Sequence, residues 1–262
     1  MFSSITSFFQ DLRNDPAGTL VTLAYMAGCI LFSLILHECA HGYAALKCGD
    51  PTAKWMGRLT LDPRKHLDPL GTVCMIFLRV GWAKPVPINP KNFKNYRRDY
   101  IIVSLAGIAV NLAICLISLI ISSLLARAIY LPEAVSSVDN RAVFTDIYHY
   151  APAYYVYSGD FTYFGSLTSA TGLMYVQRLF LMLAQMNLGL AIFNLIPVPP
   201  LDGFRFVDEF VFKGRLSLNP QTLQVIHMIF LVVCLSGGLS GALSTVNSAV
   251  FGKLAEWIAI IT

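Results

Sequence analysis

His37, Glu38 and His41 are the residues of this chain whose types and spacing most directly imply chemistry. They stand in His37-Glu38-Cys39-Ala40-His41, an H-E-x-x-H arrangement. On a helix, residues four apart lie one above the other on one face, so both imidazoles can reach a single metal ion. Zinc is the expected ion, with imidazole nitrogens at about 2.0–2.1 Å, although other divalent ions suit the same pattern. Glu38 follows the first ligand and can reach a water on the metal. A zinc-bound water has a pKa near ~7, so a neighbouring carboxylate can take its proton and later return it to a leaving amine. The spacing therefore predicts metal-assisted hydrolysis, with His37 and His41 as ligands and Glu38 as the catalytic base.

Two histidines leave a catalytic zinc one protein ligand short. Asp202 is the candidate third ligand. It stands in Asn194-Leu-Ile-Pro-Val-Pro-Pro-Leu-Asp202-Gly203, directly after an apolar run. Pro197, Pro199 and Pro200 end or unwind the preceding helix, and Gly203 permits a tight turn after the aspartate. Irregular backbone at membrane depth is tolerated where it is packed in protein or lines a water-filled cavity, and an active site is such a place. Glu209 and Glu256 are acids further downstream that lack this context.

The elements that must position these groups read as membrane helices. The chain has 262 residues, of which 56% are hydrophobic and 13% charged, against about 25% charged in a typical soluble domain. Ala17–Leu36, Tyr100–Ala126, Leu179–Leu201 and Leu216–Gly252 contain no Asp, Glu, Lys or Arg. About twenty apolar residues of helix cross a bilayer core, and the last run is long enough for two segments divided near Gly237-Gly238 and Gly241. The expected fold is an all-α polytopic membrane protein, a single metallopeptidase domain over 1–262 with about five transmembrane helices. Thr72–Trp82 is apolar but too short to span. It is expected as a re-entrant, hairpin-like cytoplasmic insertion after the first helix, with β-like alternation at 57–62 and 82–88. Pro85 and Pro87 would confine the second of these to a sheet edge. The motif follows the first charge-free run directly, and ionisable groups at such a place are costly and functional by default.

Lys47, Lys54, Arg58, Arg64, Lys65, Arg79, Lys84, Lys91, Lys94, Arg97 and Arg98 crowd one connection, whereas 131–172 carries four acids against Arg141 alone. The positive-inside rule then places 47–98 and 202–215 in the cytoplasm and a Tyr-rich external loop at 131–172. It puts the site toward the cytoplasmic side of the membrane. A basic run tied to membrane segments at both ends argues against nucleic acid as a partner. The six cysteines form no C-x-x-C pair and read as reduced, small apolar residues.

His37-Glu38-x-x-His41 on an early transmembrane helix, followed far downstream by Asn194…Pro-Pro-Leu-Asp202-Gly203, resembles the site-2 protease family of intramembrane zinc metallopeptidases. The likeness covers about 18–215, the catalytic core. It implies His37, His41 and Asp202 as ligands of one zinc per chain, Glu38 as general base, and Asn194 as a polar group at the substrate strand. Leu105-Ala-Gly-Ile-Ala-Val-Asn111 resembles the family's Gly-x-x-x-Asn element, with Ile108 where Pro is commoner, and makes Asn111 a second candidate substrate-binding residue. An Asn in a membrane helix can equally serve by hydrogen-bonding across helices. There is no peptide-binding or nucleotide-sensing insertion, so the chain resembles the compact type. The implied partners are a single-pass membrane protein as substrate and the lipid bilayer, with room for a regulatory membrane partner or a homo-oligomer. Compactness points to a bacterial cytoplasmic membrane.

Two further readings bear on these residues. One is a membrane peptidase with an internal chamber and a glutamate third ligand, for which Glu209 is the candidate. The other is a metal transporter or a non-proteolytic zinc-binding membrane protein, which would want ionisable residues along successive helices. Tyr100–Ala126 has none. His66 and Asp68 are expected to shape a turn ahead of the insertion, while His149 and His227 are read as non-catalytic.

Overall fold

The computed structural model describes residue 10 and residues 12–69, 71, 83–129, 171–216 and 218–261. The described residues are helical, and a single isolated bridge between Leu67 and Ala83 is their only β pairing. In chain order the helices are α1 (Pro16–Cys48), α2 (Thr52–Trp55), α3 (Pro63–His66), α4 (Tyr96–Ile129), α5 (Thr171–Asn194), α6 (Asp202–Val207), α7 (Pro220–Ser236) and α8 (Ser240–Ile261). A 3₁₀ turn at Pro90–Asn92 precedes α4, and a π-helical turn at Asp208–Phe212 follows α6.

Among the described residues three helices are long and apolar enough to cross a membrane: α1, α4 and α5 over Gly172–Asn194. α7 is apolar but shorter. Gly237 in the left-handed region ends it, at the division expected between the last two segments. The stretch expected to alternate like a strand at 57–62 forms no strand and is built from turns. Residues 83–89 are extended without a ladder partner. The 72–82 insertion, the external loop up to residue 170 and His149 lie outside the described residues.

The chain divides into two compact units. The first comprises 31–112 and 189–245, with the second half of α1, the connection to α4, the start of α4, and the chain from the end of α5 through α7. α1 ends in a Schellman motif. Gly49 takes φ +111°, its N–H donates to Leu46 O, and Asp50 N–H donates to Ala45 O. Asp50, fully buried, then clips the connection together by accepting from Thr52 N, Thr52 Oγ1, Asn89 N and Asn92 Nδ2 at 2.5–3.1 Å. Gly42 lets the connection lie on α1, since a Cβ there would stand 2.9 Å from Val86 Cγ1.

The second unit comprises 7–30, 113–188 and 246–262. Its helix segments pack through Cys29, Cys115, Leu119, Leu181, Met182 and Phe251. Small polar side chains sit among them, and Gln177 Nε2 donates to Ser122 O. Arg178 is buried here, donating to Thr22 Oγ1 at 2.6 Å and stacking on Tyr25. Among the described residues Cys29, Cys39, Cys48, Cys115 and Cys234 form no disulfide.

Candidate metal centre

The motif lies inside α1, with seven helical residues after His41, so its helical geometry is enforced from both sides. His37 and His41 are buried, and their rings meet edge-on with centroids 4.6 Å apart. Asp202 reaches them as the first residue of α6. The chain can turn there because Gly203 has no side chain: a Cβ would collide with the Leu195 carbonyl oxygen. His37 Nε2, His41 Nε2 and Asp202 Oδ2 form a nearly equilateral triangle, with sides of 3.0 Å between the histidines, 3.1 Å from His41 to the aspartate and 3.2 Å from His37 to it. They are the one group of three or more potential ligands found together among the described residues.

This triangle fits a metal. Donors about 2.0–2.1 Å from a tetrahedral zinc stand about 3.3 Å apart, close to the separations seen. The hydrogen bonding behind the ring points the same way. His41 Nδ1 lies 2.7 Å from Val103 O. A carbonyl can only accept, so Nδ1 carries the proton and a neutral His41 turns a bare lone pair on Nε2 toward Asp202. Such a lone pair facing a carboxylate oxygen at this distance is an arrangement that a shared metal cation would satisfy. Behind Asp202, the Arg205 guanidinium stands 4.0 Å from Oδ1.

Glu38 and these three residues line one cavity of about 830 Å³. Val86 N–H donates to Glu38 Oε2 at 2.7 Å, so the extended 83–89 segment grips one oxygen of that carboxylate. Phe193, Val86, Phe230 and Leu231 supply apolar wall. Asn194 also lines the cavity, and its Nδ2 donates back to Leu190 O in its own helix. Asn111 is fully buried, and its amide meets His37 Nδ1 at 3.2 Å. His66 is buried away from the triangle, against Thr60 O and 3.9 Å from Cys39 Sγ, while Asp68 accepts from Gly71 N–H as a turn residue does. Glu209 is outside the group; burial and the neighbouring Asp208 raise its carboxyl.

Sequence reasoning missed several participants. The Val103 carbonyl and the Val86 N–H are backbone groups with no residue signature. His227 lines the cavity from α7, and its position as the lone group in the 216–252 run that titrates near neutral pH was a signal for it.

The family model for Peptidase family M50 matches residues 25–237. The protein named "Putative zinc metalloprotease YwhC" of Bacillus subtilis (strain 168) is 33% identical over 214 residues, covering 82% of this chain and 81% of that one. "Putative zinc metalloprotease Rip2" of Mycolicibacterium smegmatis is 27% identical over 229 residues, 84% of this chain and 69% of its own length. Its Mycobacterium tuberculosis (strain H37Rv) namesake is 36% identical over 101 residues, 36% of this chain and 38% of that protein. No solved structure matches. A family match across most of the chain, three long apolar helices and a buried His-His-Asp triangle agree: this is a membrane zinc metallopeptidase, and the chain belongs to peptidase family M50, the site-2 protease family.

Proposed function

We infer that the protein cleaves peptide bonds of transmembrane or membrane-proximal segments, with His37, His41 and Asp202 as ligands of a single zinc and Glu38 as the proton carrier. The observation that carries this reading is the donor triangle opening into the cavity that Glu38 shares. Zinc held there supplies Lewis-acid polarisation of the scissile carbonyl and acidifies the attacking water. Glu38 takes the proton of that water on one carboxylate oxygen and returns it to the leaving amine, while Val86 N–H steadies the other oxygen. Val103 O holds the His41 ring from behind. Asn194, on the cavity wall, is a polar group for the substrate backbone.

A helical substrate hides its carbonyls in hydrogen bonds and must be unwound before attack. The segment 83–89, which joins no sheet among the described residues beyond the isolated Leu67–Ala83 bridge, offers an edge for an unwound strand to pair with. Pro85 and Pro87 cannot donate and keep it from closing into a sheet. α7 and α8 complete five crossings, and the basic 47–98 connection sets the site toward the cytoplasm of a bacterial inner membrane. The substrates are single-pass membrane proteins.

The test is co-expression with a panel of single-pass membrane proteins, with N-terminal sequencing of the fragments. Glu38→Gln is expected to lower cleavage by about 10²–10⁴-fold or more while keeping zinc bound. Undiminished cleavage by this variant would overturn the assignment of Glu38.

A further inference from the structure

α4 meets the candidate metal centre along one stripe. Val103, Gly107 and Asn111 are spaced four apart and share a helix face. Val103 gives its carbonyl to His41 Nδ1. Gly107 gives space: a Cβ there would lie 2.5 Å from both His37 Cε1 and His41 Nε2, closer than real Cβ contacts come. Asn111, one turn on, presents its amide to His37 Nδ1 at 3.2 Å.

The amide has two ends, and they impose opposite tautomers on the ring. Nδ2 facing Nδ1 would donate to it, which places the imidazole proton on Nε2 and removes the lone pair a metal needs. Oδ1 facing Nδ1 accepts Nδ1–H instead and leaves Nε2 bare. Nδ2 stands toward the ring, and Oδ1, fully buried, has no partner among the described residues. A half-turn of the amide exchanges two ends of nearly the same shape. Either way one end is unpaired, so hydrogen-bond counting leaves the orientation open and the metal decides it.

We propose that Asn111 is a positioning residue for the zinc: its side-chain oxygen accepts the Nδ1 proton of His37 and so fixes the tautomer that offers Nε2 to the metal. α4 then orients both ring ligands from behind, one through a backbone carbonyl and one through a side-chain carbonyl. The proposal rests on the metal-ligand reading above, and it gives Asn111 work away from the substrate. Groups behind a ligating histidine typically change metal affinity by about 10–100-fold when removed.

The experiment measures zinc affinity of the full chain in detergent, by chelator competition and metal content per chain. It compares wild type, Asn111→Leu and Asn111→Asp, with melting and monodispersity as fold controls. Asn111→Leu, which keeps bulk but cannot accept, should bind zinc about 10–100-fold more weakly. Asn111→Asp can only accept when ionised, and should stay within a few-fold of wild type. A donor role predicts the opposite for Asp, so a folded Asn111→Asp protein as weak as the Leu variant overturns the proposal. So does a Leu variant of wild-type affinity. If the Leu variant fails to fold, the Asp variant still decides. Wild-type protein that binds no zinc would overturn the ligand assignment itself, a separate result.

Discussion

At the scale of single residues, the centre depends on what is missing at Gly107 as much as on the side chains that converge. An added methyl would meet both imidazoles at 2.5 Å and His37 Nδ1 at 2.7 Å. Rings held by Val103 and Asn111 cannot retreat without giving up those bonds. Gly107→Ala is therefore expected to cost about 1–3 kcal/mol by overpacking and to lose stoichiometric zinc. Gly28→Ala is the matched control, because a Cβ on that helical glycine meets nothing within 4 Å. It should leave metal content unchanged and raise stability slightly, by about 0.5–1 kcal/mol. Metal analysis and melting of the two variants decide the point. Equal zinc in both would show that α4 can back away from the histidines.

At the scale of elements, the connection between α1 and α4 holds the extended 83–89 segment against Glu38. Its anchor is Asp50, which ties Thr52 at the start of α2 to Asn89 at the end of that segment and Asn92 beyond it. Burial raises the Asp50 carboxyl, but the hydrogen bonds from Thr52, Asn89 and Asn92 prevail and lower it below its ordinary value. The sign follows. A group with a lowered folded pKa stabilises the fold fully above its unfolded pKa, about 3.9, and that contribution fades as pH falls through the folded value. Asp50→Ala should therefore melt lower than wild type at pH 7, by the equivalent of about 2 kcal/mol. The gap should narrow below pH ~4. A gap that stayed constant down to pH ~3 would mean that Asp50 acts by packing alone. Cleavage should also fall in this variant, because Val86 N–H loses its fixed approach to Glu38.

At the scale of the whole molecule, the three long apolar helices give the chain its bilayer setting, and the metal ties together groups far apart in sequence. His41 and Asp202 are separated by 161 positions, and each comes from a different segment. An ion that binds the folded chain but not the unfolded one stabilises it by about 2.7 kcal/mol when free metal is 100-fold above its dissociation constant. A strong chelator should lower the melting temperature of wild type by several degrees and re-addition of zinc should restore it. His41→Ala should melt low and ignore both treatments. A chelator effect that persisted in His41→Ala would point to a metal bound elsewhere.

The sequence by itself determined the chemistry-bearing side chains. H-E-x-x-H needs only helical continuity to place two imidazoles together, and α1 provides it on both sides. Asp202 was legible because prolines before it and Gly203 after it describe a local break that α6 realises. The charge-free runs likewise marked α1, α4 and α5, since spanning a bilayer is a matter of length and polarity along the chain. What required the tertiary structure is everything supplied by backbone or by absence. The Val103 carbonyl lies 62 residues from His41 and the Val86 N–H lies 48 from Glu38. Neither group has a residue identity that a pattern could register. Gly107 is one glycine among 18 until a histidine pair stands against it. Asn111 read equally well as a substrate contact or as a cross-helix hydrogen bond, and only the packing of α4 on α1 brought its amide to the back of His37. Patterns along the chain specify which donors exist, whereas the direction each donor's lone pair takes is set by neighbours the chain brings in from elsewhere.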